Sequence, residues 1–209
     1  MHTHTCMQSL WLSMQIEANA DQADALAEWN IPFEITLLAD EDGIETVYHK
    51  NQDPETSSGN SIFRENSVSE VIKGNFRQVR MRTQTIDSVV AKNALGAVEF
   101  LKLDLQGSEW LALQGARETL RTVEVIQTEM HLVNYNEGAP KFLDVYSFLD
   151  SKGFALYDIG EIQKFGVKKQ EEMMIEKVIG MDMIFVRKTS ALWDEQCTLF
   201  PKPGHLDLL

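Results

Sequence analysis

The sequence predicts an α/β fold organised as a doubly wound sheet, and three observations carry that prediction. The chain has 209 residues and is 44% hydrophobic, enough to fill the core of one α/β unit. Residues 98–116 read as a strand, a sharp turn and the start of a helix, and the apolar bulk of 101–104 predicts an inner strand buried on both faces. The next apolar run, at 123–126, reads as another strand, so this segment forms a βαβ unit.

Polar residues interrupt the central segment where its strand is expected to end. Apolar and polar side chains alternate up to Asp104, as in a strand of period two. Gly107 then breaks the run, Ser108 is a candidate N-cap, and Glu109 in the first turn suits the helix dipole. Ligands in open α/β sheets sit beyond the carboxyl ends of the strands, which is where Asp104 and, one strand later, Glu129 are expected.

The N-terminal part of the chain is expected to alternate strands with one helix. An apolar run at 10–16 predicts a strand, and the Ala- and Leu-rich segment 21–29 predicts a helix that ends before Pro32. Composition then predicts a strand, a turn and a second strand at 33–39, 40–43 and 44–49.

A long polar loop and a short capped helix are expected next. Residues 50–69 are rich in Ser and Asn, and they form either a lid over an active site or a mobile solvent loop. Residues 79–82 predict an edge strand. Thr85 is placed to cap a helix at 86–92, and Asp87 in its first turn then has a structural role.

The C-terminal part is expected to hold one helix and the last two strands. The helix begins near Pro140 and ends at Gly153, and a charged segment at 161–177 separates the strands. These strands are expected at 154–159 and 183–186. We therefore expect a single domain over 1–188, followed by a disordered or loosely docked tail at 189–209.

Charge and composition exclude several classes of partner. The formal net charge of -13 would repel a phosphate backbone, so no nucleic-acid partner is expected. Two cysteines, Cys6 and Cys197, are too few for a disulfide framework and indicate a reducing compartment. No run approaches the ~20 apolar residues of a membrane span, and the N-terminus does not read as a secretion signal. We expect a soluble cytoplasmic protein without a membrane partner, and its oligomeric state cannot be read from the sequence.

Several motifs together resemble one enzyme family. They are, in chain order, IEAN at 16–19, DEDG at 40–43, TSSGNS at 56–61, TIDSVV at 85–90, LKLDLQGSEWLALQGA at 101–116, VIQTEMH at 125–131 and MDMIFVRK at 181–188. Over residues 16–188 the chain resembles the FkbM family of S-adenosylmethionine-dependent methyltransferases. The resemblance implies a Rossmann-like, mostly parallel sheet whose final strand is antiparallel and inserts beside the fifth.

The resemblance also implies where the cofactor would be held. It assigns Glu17, with Asn19 in the same IEAN motif, to S-adenosylmethionine, because a strand-end carboxylate can accept hydrogen bonds from both ribose hydroxyls. Glu17 could instead be an acidic residue ahead of the following helix. The family opens with a strand that ends in an Asp-x-Gly glycine loop, and no such segment precedes IEAN. We therefore expect the domain to be N-terminally incomplete, without its first strand, and to bind the cofactor weakly or not at all.

Charged residues cluster around the two central strand ends, and their chemistry has three interpretations. Lys102 lies two residues before Asp104, and His131 lies two residues after Glu129. These groups could orient and deprotonate a methyl acceptor. Asp104 and Glu129 could instead be oxygen ligands of a metal, but two carboxylates without a third ligand do not predict a metal site. The third interpretation is structural, with every polar group hydrogen-bonded to the protein.

The sequence thus predicts an S-adenosylmethionine-dependent methyltransferase with Lys102, Asp104, Glu129 and His131 as its catalytic residues. Its reaction is O-methyl transfer to a hydroxyl of a small molecule or a glycan. In the alternative hypothesis the chain is a catalytically inactive methyltransferase-like remnant or an interaction module. We also expect Glu17, Asp104 and Glu129 to line one crevice at the carboxyl edge of the sheet.

Overall fold

The structure is a computed structural model that describes residues 13–52, 59–66, 76–169 and 173–192, with the side chains of 165–169 and 173–176 left out. The chain forms two compact units, one up to Leu37 and one from Leu38 onward, and each is described by itself. The strand predicted at 10–16 lies partly outside the described residues, as do Cys6 and Cys197. The domain boundary predicted at Lys188 stays a prediction.

The first unit contains a parallel pair of short strands joined by helical turns. Its elements are β1 (Gln15–Glu17), a 3-10 helix (Ala20–Gln22), α1 (Ala23–Glu28) and β2 (Phe33–Ile35). β1 and β2 are parallel, with Gln15 opposite Phe33 and Glu17 opposite Ile35. The predicted strand end at Glu17 is confirmed. The helix predicted over 21–29 is shorter, because its first turn is the 3-10 helix.

The second unit begins with a three-stranded sheet. Its strands are β3 (Leu37–Leu38), β4 (Glu45–Asn51) and β5 (Phe76–Gln84), in the order β3-β5-β4. β5 is antiparallel to β4. On the other side of β5, the backbone carbonyl of Gln84 accepts a hydrogen bond from the backbone amide of Ala39. The prediction of an edge strand at 79–82 is therefore wrong. β5 lies between β3 and β4 in the sheet, with the two-residue β3 meeting it near Gln84, and local composition could not reveal this order.

The first helix of this unit starts as predicted. α2 (Ile86–Lys92) follows Thr85, whose side-chain oxygen accepts a hydrogen bond from the amide of Ser88 at 3.1 Å. Asp42, in the predicted turn, accepts hydrogen bonds from the Ser88 hydroxyl at 2.6 Å and the Thr85 amide at 2.8 Å. These hydrogen bonds lower the pKa of Asp42 below its usual range. The turn at 40–43 and the cap are thus one hydrogen-bonded unit.

A four-stranded mixed sheet forms the largest part of the second unit. Its strands are β6 (Phe100–Leu103), β7 (Val125–His131), β8 (Phe154–Lys169) and β9 (Met173–Arg187), in the order β6-β7-β9-β8. β6 and β7 are parallel, whereas β9 is antiparallel to both of its neighbours. The α/β class is confirmed, but the described sheets are mixed rather than mostly parallel. The antiparallel last strand beside β7 agrees with the family resemblance.

The strand β6 does not occupy the inner position predicted for residues 101–104. It lies at the edge of the four-stranded sheet, and no described strand pairs with its outer side. Phe100 is 54% exposed, whereas Leu103 is buried at 2%. Only one face of β6 is therefore well covered, so apolar bulk alone was a poor guide to its place in the sheet.

The charged segment predicted to separate the last two strands belongs to the strands themselves. β8 and β9 form a long antiparallel hairpin whose pairing extends from Phe154 and Arg187 out to Lys169 and Met173. Backbone pairing between two strands needs no apolar side chains on the solvent face, so charged residues can continue both strands. The predicted separation at 161–177 is wrong for this reason.

Helices between the strands complete the core of the second unit. α3 (Glu109–Gln114) and a 3-10 helix (Thr119–Arg121) connect β6 to β7, and α4 (Phe142–Ser151) precedes β8. Their apolar side chains are buried with those of the sheet, among them Leu113, Val123, Ile126, Leu149 and Phe185. The βαβ unit is confirmed. Ser108 stands at the N-cap position of α3, yet its hydroxyl donates to the carbonyl of Leu105 at 2.9 Å instead of capping the helix.

Gly115 packs too tightly for any side chain, which gives a prediction about stability. A Cβ at this position would lie 2.3 Å from the carbonyl oxygen of Ala39 and 3.1 Å from Cβ of Thr85. We expect Gly115→Ala to lower the free energy of unfolding by about 1–3 kcal/mol or more, since backbone must move to relieve the overlap. Urea unfolding measures the loss. Gly160→Ala, whose Cβ would meet only ordinary contacts from 3.4 Å, is the matched control and should change little.

The described residues continue beyond the predicted end of the domain. Ser190 is buried at 9%, and residues 193–209 of the predicted tail lie outside the described residues. In the part of the chain that the structure describes, no helix is both long enough and apolar enough to cross a membrane.

Candidate active site

Two of the predicted catalytic carboxylates meet at the carboxyl ends of β6 and β7. Asp104 directly follows β6, and the parallel register, with Leu103 opposite Thr128, brings Glu129 to the same edge. The side-chain amide of Gln106 joins them, because its Nε2 donates to Asp104 Oδ1 at 3.0 Å and to Glu129 Oε2 at 2.9 Å. The two acids therefore share one donor, which offsets part of their mutual repulsion.

Glu129 is the buried member of the pair. Only 8% of the residue is exposed, and its Oε1 accepts a hydrogen bond from Gln163 Nε2. Burial raises the pKa of the Glu129 carboxyl, the charges of Asp104 and Asp182 raise it further, and the hydrogen bond from Gln163 opposes the rise. Both oxygens of Glu129 accept hydrogen bonds from side-chain amides, so this carboxylate is held in one orientation.

His131 lies on the same face of β7 as Glu129. Its Nε2 is 3.9 Å from Glu129 Oε1, and its ring stacks on Tyr135 with centroids 4.6 Å apart and planes 4° from parallel. Burial lowers the pKa of His131 below its ordinary value of 6.5, although the charge of Asp104 opposes that effect. At neutral pH the imidazole is therefore largely neutral and able to accept a proton.

A glycine in β9 makes room for these contacts. Gly180 lies opposite His131 in one ladder and opposite Gln163 in the other. A Cβ on Gly180 would lie 3.1 Å from Cδ2 of His131 and 3.4 Å from Oε1 of Gln163. The missing side chain thus leaves space for Gln163 to extend over β9 to Glu129.

Lys102 is not part of this cluster. It is an exposed residue of β6, opposite Gln127. Among the residues that the structure describes, no ion pair joins Lys102 to Asp104 or Glu129. Its catalytic role stays a prediction, whereas the other three predicted residues lie together.

Glu109 is a buried acid for which the sequence predicted only a favourable interaction with the helix dipole. It is 5% exposed, and its Oε1 accepts a hydrogen bond from the amide of Leu105 at 2.8 Å. Burial raises the pKa of Glu109 to about 7, with a smaller contribution from the charge of Glu129 and with backbone hydrogen bonds opposing the rise. The position of Glu109 two residues after Gly107 was visible in the sequence, but the hydrogen bond that its carboxyl accepts from the earlier Leu105 amide was not.

This raised pKa predicts a pH-dependent stability. The folded-state pKa of about 7 exceeds the ordinary value of 4.5, so ionisation favours the unfolded chain. Stability linked to Glu109 is complete below pH ~4.5 and is lost as the pH rises to about 7, by an amount on the order of 3 kcal/mol. Urea unfolding at pH 5 and pH 8 should therefore show a smaller pH difference in Glu109→Gln than in the unsubstituted protein. Equal pH differences would contradict the assignment.

Part of the serine-rich segment rests against the strand ends. The Ser61 hydroxyl donates to the carbonyl of Leu105 at 3.5 Å, and the amide of Asn66 donates to the carbonyl of Tyr135 at 2.7 Å. The Glu65 carboxyl is hydrogen-bonded to the hydroxyl of Tyr135, whose ring stacks on His131. The described residues 59–66 thus contact the site, as the lid hypothesis requires, while residues 53–58 and 67–69 lie outside the described residues.

A pocket of about 400 Å³ opens beside this cluster. Its lining includes the acids Glu109 and Glu129 together with His131. It also includes apolar side chains, among them Leu132, Phe142 and Leu143. A pocket of this size accommodates a small molecule whose polar group faces the acids.

Comparison with known families decides the assignment of the chain. A family model described as the methyltransferase FkbM domain matches residues 3–156. The chain belongs to the FkbM methyltransferase family. The match covers β6, β7 and the residues around Asp104, Glu129 and His131. No curated protein and no solved structure matches the chain.

Membership of the FkbM family implies S-adenosylmethionine, and the IEAN residues can be tested for their fit to it. Glu17 Oε1 accepts the amide of Asn19 at 2.7 Å, and no hydrogen bond among the described residues uses its second oxygen. That oxygen suits a ribose hydroxyl. Asn19 is buried at 3%, and its Oδ1 accepts the amide of Asp21 at 3.2 Å as the cap of the 3-10 helix. Glu17 thus fits the predicted role. Asn19 Oδ1 is used in capping the 3-10 helix, and the cofactor-binding role of Asn19 stays a prediction.

Two further predictions about the site have partial outcomes. Glu17 belongs to the first unit and Asp104 and Glu129 to the second, so a shared crevice stays a prediction. Within 13–52, 59–66, 76–169 and 173–192, no three His, Cys, Asp or Glu side chains cluster as metal ligands. The metal interpretation of Asp104 and Glu129 still lacks its third ligand.

Proposed function

We propose that this FkbM-family protein is an S-adenosylmethionine-dependent methyltransferase that methylates a hydroxyl of a small molecule or a glycan. One observation carries the proposal. Two amide-bridged carboxylates and a largely neutral histidine lie together at the carboxyl ends of β6 and β7, beside a pocket of about 400 Å³. Methyl transfer needs such a group to orient an acceptor and remove its proton.

His131 is the proton acceptor in this proposal. S-adenosylmethionine, when bound, supplies a methyl group on a sulfonium, and transfer breaks the sulfur–carbon bond while an oxygen–carbon bond forms. The acceptor hydroxyl must lie ~3–3.5 Å from that carbon and give up its proton. The lowered pKa of His131 supports its use as the base, because burial keeps the ring largely neutral at pH 7. The resulting imidazolium would lie 3.9 Å from Glu129 and be stabilised by its charge.

The two carboxylates have different parts in the proposal. Both oxygens of Glu129 already accept hydrogen bonds from Gln106 and Gln163, so it contributes charge and orientation. Asp104 is exposed, and its Oδ1 accepts one amide hydrogen, which leaves it lone pairs to orient the acceptor hydroxyl. Glu17 is proposed to hold the cofactor ribose through its second oxygen.

A labelling experiment tests the proposed activity. The protein is incubated with S-adenosylmethionine carrying a labelled methyl group and a panel of small alcohols and glycosides. We expect label in a methyl ether, and equimolar S-adenosylhomocysteine as the second product. Cofactor binding without transfer to any acceptor would favour the interaction module instead, and the absence of binding would favour the inactive remnant.

A further inference from the structure

The turn between β6 and α3 adopts a backbone conformation that its sequence does not favour. Gln106 has a φ of 51° and Gly107 has a φ of 97°. The left-handed region suits glycine but disfavours a residue with a Cβ. Contacts with neighbouring groups must therefore hold Gln106 in place.

The peptide units of Leu105 provide those contacts. Its amide donates to Glu109 Oε1 at 2.8 Å, and its carbonyl accepts the hydroxyl of Ser108 at 2.9 Å. Glu109 is 5% exposed, so this hydrogen bond is shielded from water. Leu105 is fixed on both sides immediately before the left-handed residue.

The conformation of Gln106 matters because its side chain joins the two acids. Its Nε2 donates to Asp104 and to Glu129, and a different φ at Gln106 would carry that amide away from both. Glu109 lines the same pocket as Glu129, but no hydrogen bond among the described residues joins its carboxyl directly to Asp104 or Glu129. Its carboxyl accepts the backbone amides of Leu105 and Gly107, the two residues on either side of Gln106, so its hydrogen bonds reach the site through this turn.

We propose that Glu109 is a positioning residue whose carboxyl holds the Leu105 amide and thereby keeps Gln106 bridging Asp104 and Glu129. This inference rests on the proposed function for its catalytic meaning. Its structural content is independent of methyl transfer. The readout is the pKa of the Glu129 carboxyl, which is measured without cofactor or acceptor.

The experiment compares Glu109→Gln with Glu109→Met by carbon-detected NMR titration of Glu129. Both replacements are uncharged and of similar length, but only glutamine retains an oxygen that can accept the Leu105 amide. Loss of the Gln106 donor should raise the pKa of Glu129, since hydrogen bonds to the charged form lower it. We expect a higher pKa in Glu109→Met than in Glu109→Gln, by several times the fitting error.

Repeating the comparison in a Gln106→Ala background completes a double-mutant cycle between Glu109 and Gln106. If Glu109 acts through Gln106, the difference between the two Glu109 variants should vanish there. A Glu129 pKa that is equal in both variants, or a difference that persists without Gln106, would overturn the proposal. Neither outcome bears on whether the protein transfers methyl groups, so the two claims fail separately.

A second measurement covers the possibility that Glu109→Met does not fold. In the unsubstituted protein, scalar couplings through hydrogen bonds should link the Leu105 amide to the Glu109 carboxyl carbon and the Gln106 side-chain amide to that of Glu129. Observation of both couplings is expected. The absence of either coupling in a spectrum that resolves other hydrogen bonds would overturn the proposal.

Discussion

Replacement of His131 by glutamine is expected to lower kcat for methyl transfer by about 10²–10⁴, the usual loss when a general base is removed. The reason is local. Glu129 is a poor substitute for His131 as the base, because hydrogen bonds from two side-chain amides stabilise its charged form. The measurement uses the acceptor alcohol with the highest turnover, and the KM for that alcohol should change much less than kcat.

Asp104→Asn is the matched control for this prediction. Asparagine keeps an oxygen at the same place, so it should cost clearly less than the loss of His131 if Asp104 only orients the acceptor. In the unsubstituted protein, kcat should rise with pH through the pKa of His131, which burial holds below 6.5, and then level off. An equal or larger loss in Asp104→Asn would make Asp104 the proton acceptor.

Replacement of Asp87 by alanine should produce the largest loss of stability from a single polar side chain outside the site. Asp87 Oδ1 accepts hydrogen bonds from the Thr119 amide at 2.8 Å and the Thr119 hydroxyl at 2.7 Å, and its Oδ2 accepts the Glu118 amide at 2.9 Å. Thr119 is buried at 5% and would be left with unpaired donors. We expect a loss of about 2–4 kcal/mol in urea unfolding.

Asp87→Asn distinguishes the contribution of these hydrogen bonds to stability from any effect of the substitution on α2 itself. It keeps one acceptor oxygen, so about half of the loss should be recovered. A loss below about 0.5 kcal/mol in Asp87→Ala would mean that the link between α2 and the following 3-10 helix contributes little.

Local features of the fold could be predicted because they depend on neighbours in the chain. Thr85 caps α2 through an amide three residues later, and the end of β6 just before Asp104 follows from period-two alternation and a glycine turn. A structural role for Asp87 was predicted from its position in the first helical turn, but its partners Glu118 and Thr119, 31 and 32 residues away, could not be predicted. Each of these inferences uses information within a few residues.

The order of the strands could not be predicted in the same way. Which strands are neighbours depends on pairing between distant segments, and the hydrophobicity of residues 101–104 is compatible with either an inner or an edge position. The same limit applies to the charged segment at 161–177, because antiparallel pairing extends β8 and β9 through it. The pattern of apolar and polar side chains indicates which residues are buried, whereas backbone pairing between strands does not require burial.

The amides of the site were missed for a related reason. Gln163 is 34 residues from Glu129 and reaches it across β9, where its paired residue, Gly180, has no side chain. Gln106 was read as part of a turn, and nothing in its sequence position indicates a side chain that bridges two acids. Carboxylates at strand ends are recognisable from sequence, but their hydrogen-bond donors depend on tertiary register.

If methyl transfer takes place at the ends of β6 and β7, S-adenosylmethionine must bind beside Glu129, and an NMR titration with the cofactor detects binding there. We expect weak, saturable shifts of the side-chain amide signals of Gln106 and Gln163, because a sulfonium near Glu129 would change their hydrogen bonds. The side-chain amide of Asn93 donates to the carbonyl of Val89 in α2 at 2.9 Å. Its NMR signal is the internal control and should not shift. Saturable shifts confined to other residues would contradict this location of the cofactor chemistry.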